Sequence, residues 1–271
     1  GDIISALERL KNKQWYYLTV PDITDEEKET VLEYIKEQRT QYHKTFKAVL
    51  PNCAAGVEGI VNFTTDNIKV GTKTYGTSEF CPRIAGILAG LPLNRSATYY
   101  VLPEVESITE SETPDEDVDN GKLILINDGT KIKIARGVNS LTEFTNEKGQ
   151  DFSKIKIVEA IDMIRDDIRT TFEDEFVGKV ENSYDNKIVF IAAINKYFKD
   201  LASRGVLYDQ FDNKAEIDIE ATREWLSQTK DVSAWEDEQI KTANTGTNVF
   251  VKANIQIQDA IEDLHFGIYI E

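Results

Sequence analysis

Two histidines and two cysteines are the side chains best suited to nucleophilic, acid–base or zinc chemistry here, and neither pair is arranged for it. His43 lies at the end of a charged helical stretch, and His265 falls on the polar face of a terminal alternating segment. Neither has Asp, Ser or Cys nearby in a catalytic pattern, and no Gly-x-Ser-x-Gly elbow is present. Cys53 and Cys81 lack the close paired spacing of a zinc site, so they read as two small, partly buried thiols. The run Asp115-x-Asp117-x-Asp119-Asn120-Gly121 resembles a calcium loop, but Asn120 separates the third acid from the glycine. The position that should carry a closing Glu is Ile126. Gly86 and Gly90 sit inside an apolar run with no Lys-Ser/Thr after them, so they form no phosphate loop and read instead as a helix-packing device. The expectation is no catalytic residue, no metal and no cofactor.

The remaining composition narrows the partners. Lys plus Arg number 31 against 48 for Asp plus Glu, a formal charge of -17. Nucleic acid and anionic membrane both call for clustered cations, so neither is expected as a main partner. The aromatics Trp15, Tyr16, Tyr17, Tyr99 and Tyr100 have no interleaved cations and suit core packing or subunit contact better than base stacking. With 41% hydrophobic residues the chain can bury a core, no stretch is apolar enough to span a membrane, and two cysteines make no disulfide framework. The chain opens on Gly1 without a signal peptide and its single Met is Met163, so it reads as a piece of a longer protein.

The elements predicted from pattern give an α+β protein. An apolar strand Trp15–Val20, a helix opened by the capping box Thr24-Asp25-Glu26-Glu27 and a strand Lys47–Leu50 form a parallel α/β unit, with Val31, Leu32 and Ile35 facing its core. Residues 57–75 read as strands and Glu79–Leu91 as a buried helix. Pro103–Asn120 carries eight acids and no Lys or Arg, which predicts a solvated, partly mobile loop. Lys122–Ile126 and Lys131–Ala135 form a hairpin across Asn127-Asp128-Gly129-Thr130. Three helices follow. The first, residues 151–176, has the stripe Ile157, Ile161, Ile164, Ile168 and Phe172; the second, Asn186–Ser203, has Ile191, Ile194, Phe198 and Leu201; the third is Glu216–Gln228. Asp166, Arg169, Asp174 and Lys199 are expected on an exposed polar face of the first two. The chain closes on alternating segments, Val249 to Ile257 and then Leu264, Phe266, Ile268 and Ile270, the last a strand with one buried face. The polar stretch Asn146–Gln150 separates an α/β domain over 1–148 from a mixed α+β domain over 149–271. Residue pattern alone leaves two readings, a structural or interaction protein, or an enzyme completed by residues outside this chain.

Several stretches resemble the tail sheath proteins of contractile phages, in particular those of defective-prophage and R-type bacteriocin particles of Gram-positive bacteria. They are Gly90–Val105, Gly121–Leu141, Lys156–Lys187 with Arg165-Asp-Asp-Ile-Arg-Thr-Thr-Phe172 and Ser183-Tyr-Asp-Asn186, and Ala243-Asn-Thr-Gly-Thr-Asn248. The resemblance implies a structural subunit that polymerises around an inner tube and contracts to drive it through a cell envelope. It implies a first domain of subtilisin-like fold without a catalytic triad, preceded in the family by an N-terminal arm and further residues missing here, and a C-terminal sheath domain facing the tube. It implies as partners other sheath subunits, the inner tube protein, and baseplate and tail terminator proteins, in a virion or phage-tail-like particle assembled in the host cytoplasm. On this footing Leu264, Phe266, Ile268 and Ile270 are expected to join a neighbouring subunit by strand addition, and Asp166 and Arg169 are expected to face the tube.

Overall fold

The computed structural model describes residues 2–146 and 148–270. They form two compact units, one of residues up to Asp162 together with those from Asp259 onward, the other Met163–Gln258. The boundary between these units falls inside a helix whose Asp162 is tied by ion pairs to Arg39 and Lys47 of the first unit.

The first unit is built on a parallel sheet of four strands, β1 (Tyr17–Leu18), β2 (Lys47–Pro51), β3 (Ile60–Phe63) and β6 (Lys122–Leu123), in the order β1-β2-β3-β6. Successive strand side chains point to opposite faces. Ala48, Leu50 and Ile60 therefore meet Leu7 of helix α1 (Ile3–Leu10) and Val31, Leu32 and Ile35 of helix α2 (Asp25–Thr40). Val49, Val61 and Phe63 meet Phe80, Cys81, Ile84 and Leu88 of helix α3 (Thr77–Gly90). Helices on both faces explain why β2 and β3 read as unbroken buried runs rather than alternating ones. The capping box forms as its spacing predicts: Glu27 N–H donates to Thr24 Oγ1 at 3.3 Å, and Thr24 N–H donates to Glu27 Oε2 at 2.9 Å.

Between β3 and α3, within the stretch 57–75 read as strands, lies an antiparallel pair, β4 (Ile68–Val70) with β5 (Lys73–Tyr75). Several other expectations change. The strand predicted over Trp15–Val20 pairs only through Tyr17 and Leu18. Gly86 and Gly90 face open space, so they serve no close helix packing. The acidic stretch is largely exposed but holds a short helix, α4 (Pro114–Asp119), and three of its eight acids meet cations: Glu104 with Arg83, Glu106 with Lys69, and Asp117 with Lys122. The predicted hairpin forms as β7 (Leu125–Asn127) against β8 (Ile132–Ile134), while Lys122 and Leu123 leave it for the parallel sheet.

The second unit carries the later turns of α5 (Ile155–Glu175), then α6 (Tyr184–Ser203), β9 (Lys214–Ile217), α7 (Ile219–Ser227), α8 (Asp237–Thr242) and β10 (Val251–Asn254). The helix expected to start at Glu216 starts at Ile219 instead. Asp218 caps it by accepting from Ala221 N–H at 3.0 Å, and Lys214–Ile217 pairs antiparallel with β10. Phe190, Ile191, Ile194, Phe198 and Leu201 are buried on α6, which packs against β9. Phe172, Phe176 and Phe190 cluster with ring centroids 4.9–6.2 Å apart. Asn182, just ahead of α6, donates to Gly246 O at 2.7 Å and Asn248 O at 2.9 Å, and buried Lys187 donates to Thr245 Oγ1 at 3.0 Å. Two sequence-distant stretches, 182–187 and 243–248, are thus one hydrogen-bonded structure.

Candidate assembly interface

Three features decide what this chain offers to chemistry or to partners: a buried charge cluster, a polar cleft and an apolar tail. The charge cluster centres on Asp162 of α5. Arg39 of α2 grips its carboxylate with both Nη atoms at 2.9 and 3.0 Å, and Lys47 of β2 donates to Oδ2 at 2.9 Å. Glu58 lies 3.6 Å from Arg39 and 2.7 Å from Lys148, and Glu159 lies 3.5 Å from Lys47 and accepts from Tyr17 Oη. Burial alone would raise the Asp162 carboxyl, but Lys47 and Arg39 outweigh it and hold Asp162 below the usual carboxylate range. Burial and Glu159 push the Tyr17 phenol well above its ordinary value. Three cations and three carboxylates neutralise one another here, and the cluster contains no nucleophile with a free base.

The carboxyl ends of parallel strands are where α/β enzymes place their sites. Here that edge is a cleft of about 400 Å³ lined by Asn52, Thr64, Asp66, Ser111, Asp117 and Lys122. Asp117 accepts from Ser111 Oγ and from Lys122 Nζ, each at 2.6 Å, so the hydroxyl faces a carboxylate already held by an ammonium. Neither histidine lines the cleft. Among the described residues no three of His, Cys, Asp and Glu converge as metal ligands do.

The tail is anchored at its base and exposed at its end. After β10 the backbone runs beside residues 206–208, with Tyr208 N–H on Gln256 O at 2.8 Å and Gln258 N–H on Val206 O at 2.9 Å. Asp259, Glu262 and Asp263 then pair with Lys154 and Arg136 of the first unit. Beyond Asp263 the expected strand is not formed: residues 264–270 have no ladder partner among the described residues. Leu264, Phe266, Ile268 and Ile270 are 74–94% exposed instead of buried on one face. The alternation in the sequence is real, but no surface among the described residues covers it. A contiguous row of large exposed apolar side chains marks an interaction site in a folded protein.

A receptive edge is also present. In the two-stranded sheet of the second unit, Asn195 of α6 covers the outer side of β9, donating to Ala215 O at 3.1 Å and accepting from Ala215 N–H at 2.7 Å. The outer edge of β10 carries no such cover among the described residues. Of the residues expected on the polar face, Asp174 and Lys199 are exposed, while Asp166 and Arg169 are half-buried. Sequence pattern missed the Asp162 cluster; its one local signal is an acid four residues after Val158 on a buried stripe.

The family described as phage tail sheath C-terminal domain matches residues 147–271. The tail sheath protein of Clostridium phage phiCD119 is 38% identical over 271 residues, covering 99% of this chain and 75% of that protein. The crystal structure of a sheath tail protein from Desulfitobacterium hafniense superposes with a TM-score of 0.72 at 21% identity, covering 79% of this chain and 52% of that one. The helical sheath of the anti-feeding prophage in its contracted state gives 0.70 at 14% identity, covering 99% of this chain and 74% of that one. This chain therefore spans about half the length of the crystallised sheath protein it matches.

Proposed function

The chain belongs to the phage tail sheath family, and from that premise we propose that it is a structural subunit of a contractile sheath, polymerising around an inner tube and contracting to drive it through a cell envelope. The observation that carries the reading is the tail, whose apolar residues Leu264, Phe266, Ile268 and Ile270 stand in solvent beyond an anchored base. A strand that lacks a partner at home can add to a neighbour's sheet, with backbone bonds giving affinity and alternate side chains fixing register. The outer edge of β10 is the proposed acceptor, since Asn195 occupies the corresponding side of β9.

The domain division proposed for the full protein is a middle domain over 1–148, of subtilisin-like but non-catalytic fold, and a C-terminal sheath domain over 149–271. The parallel sheet between helix layers supports the first, and the family match from residue 147 supports the second. The inner tube, baseplate and terminator proteins are proposed partners, and the bacterial cytoplasm the proposed place of assembly. Asp166 and Arg169, one turn apart on α5, are the proposed tube-facing pair. Electron microscopy of the full-length protein, alone and with its tube protein, tests this reading. Cylinders of stacked subunits around the tube are expected, and Asp166→Lys with Arg169→Glu should leave subunits folded but reduce tube decoration. Dispersed monomers under all conditions would overturn the sheath reading, and undiminished decoration would remove the tube role from this pair.

A further inference from the structure

We propose that Arg136 and Lys154 form an electrostatic clasp on the base of the tail, fixing the direction in which its apolar end leaves the subunit. The proposal rests on the reading that this tail is lent to a neighbouring subunit, and it names the residues that prepare it for that step.

The two cations stand on backbone tied to its neighbours by hydrogen bonds. Arg136 follows β8, between Ala135, whose N–H donates to Ile124 O at 2.9 Å, and Gly137, whose N–H donates to Thr98 Oγ1 at 3.0 Å. Gly137 passes so close to Ala97 that a Cβ would meet it at 3.2 Å, which sets this turn against the bend that follows α3. Lys154 is bridged to Val138 just before α5 begins. Facing them are three acids within five residues of the tail. Arg136 Nη1 pairs with Glu262 Oε2 at 3.1 Å while Nη2 pairs with Asp263, and Lys154 pairs with Asp259. Lys156, itself buried, adds its field to Asp259 and Glu262. A guanidinium fork on two successive carboxylates fixes orientation as well as distance, which one lysine contact does not.

The charges stop where the apolar row begins. Asp263 is the last clasped residue and Leu264 the first unpartnered one. A free peptide docking on a neighbour would lose the freedom of its whole length, whereas a tail held at its base loses only that of its end. The clasp lies near the surface, so added salt should loosen it.

The test places spin labels at Glu143 and His265 of the full-length protein and measures the distance distribution between them, with sheath assembly followed by light scattering. Wild type should give a narrow distribution. Arg136→Glu with Lys154→Glu should broaden it about twofold and raise the concentration needed for assembly roughly tenfold, with the cooperative melt kept. Adding Asp259→Lys, Glu262→Lys and Asp263→Arg, which restores the pairing with signs exchanged, should recover both readouts. An unchanged distribution in the reversed variant would overturn the clasp, and a broadened one with normal assembly would overturn its positioning role. Normal assembly after deletion of 265–271 would instead defeat the lent-tail reading on which the proposal stands.

Discussion

Deleting His265–Glu271 from the full-length protein is expected to abolish sheath assembly while leaving a subunit that melts cooperatively near the wild-type temperature. Within the chain the apolar side chains of 264–270 are solvated, so removing them costs the fold little, within about 0.5 kcal/mol as for other surface changes. On a neighbour the same side chains would be buried. Each Leu, Ile or Phe so covered contributes roughly 1.5–3 kcal/mol, and three are lost with the deletion, so the contact loses several orders of magnitude in affinity even after the cost of ordering the segment. Analytical ultracentrifugation gives the assembly state and calorimetry the melt. A truncated protein that fails to fold would mean the segment packs at home, and one that still builds normal sheaths would mean it has no assembly role.

The second large effect is expected at Asp162. Asp162→Asn leaves Arg39 and Lys47 buried against a neutral amide, and removing one member of a buried ion pair costs about 3–5 kcal/mol. In a domain of this size that lowers the melting temperature by roughly 10 °C. The sign of the pH dependence follows from the depressed carboxyl of Asp162. Its contribution is fully present above the unfolded value, near 4, and is lost as pH falls through the lower folded value. Wild type should therefore lose stability steeply on acidification below about pH 4, and Asp162→Asn should show a shallower acid limb. Urea unfolding from neutral pH to pH 3 checks both. Equal stability of the two proteins at neutral pH would show that the cluster contributes nothing net. Replacing Arg39, Lys47 and Asp162 together by apolar residues of similar volume should cost less than the single change, since no charge is then left unpaired.

What the sequence made legible was local. Thr24 and Glu27 announce a helix start because both halves of the capping box lie within four residues, and the stripe on Asn186–Ser203 needs only its own period. What stayed hidden depends on distant partners. Arg39 and Asp162 stand 123 residues apart, and nothing near Arg39 marks it as buried. Lys214–Ile217 is too short to outweigh the helical pattern after it, and only its pairing with β10 makes it a strand. Gly86 and Gly90 carry a packing signature, yet the helix turns them to solvent and buries Ile84, Ile87 and Leu88 instead. The tail is the instructive failure. Its alternation predicts a strand with a buried face; the period is present, but no described residue covers that face, and no local pattern can say what does.

That last point can be measured directly. Full-length protein carrying the photo-reactive substitution Phe266→p-benzoylphenylalanine would be made once with natural nitrogen and once uniformly labelled with heavy nitrogen. Sheaths assembled from an equal mixture would be irradiated, and the cross-linked peptides weighed. A tail lent between subunits gives links from position 266 to peptides around β10 in which light and heavy partners combine in statistical proportion. Links formed only within one isotope would place the tail on its own subunit and contradict the account.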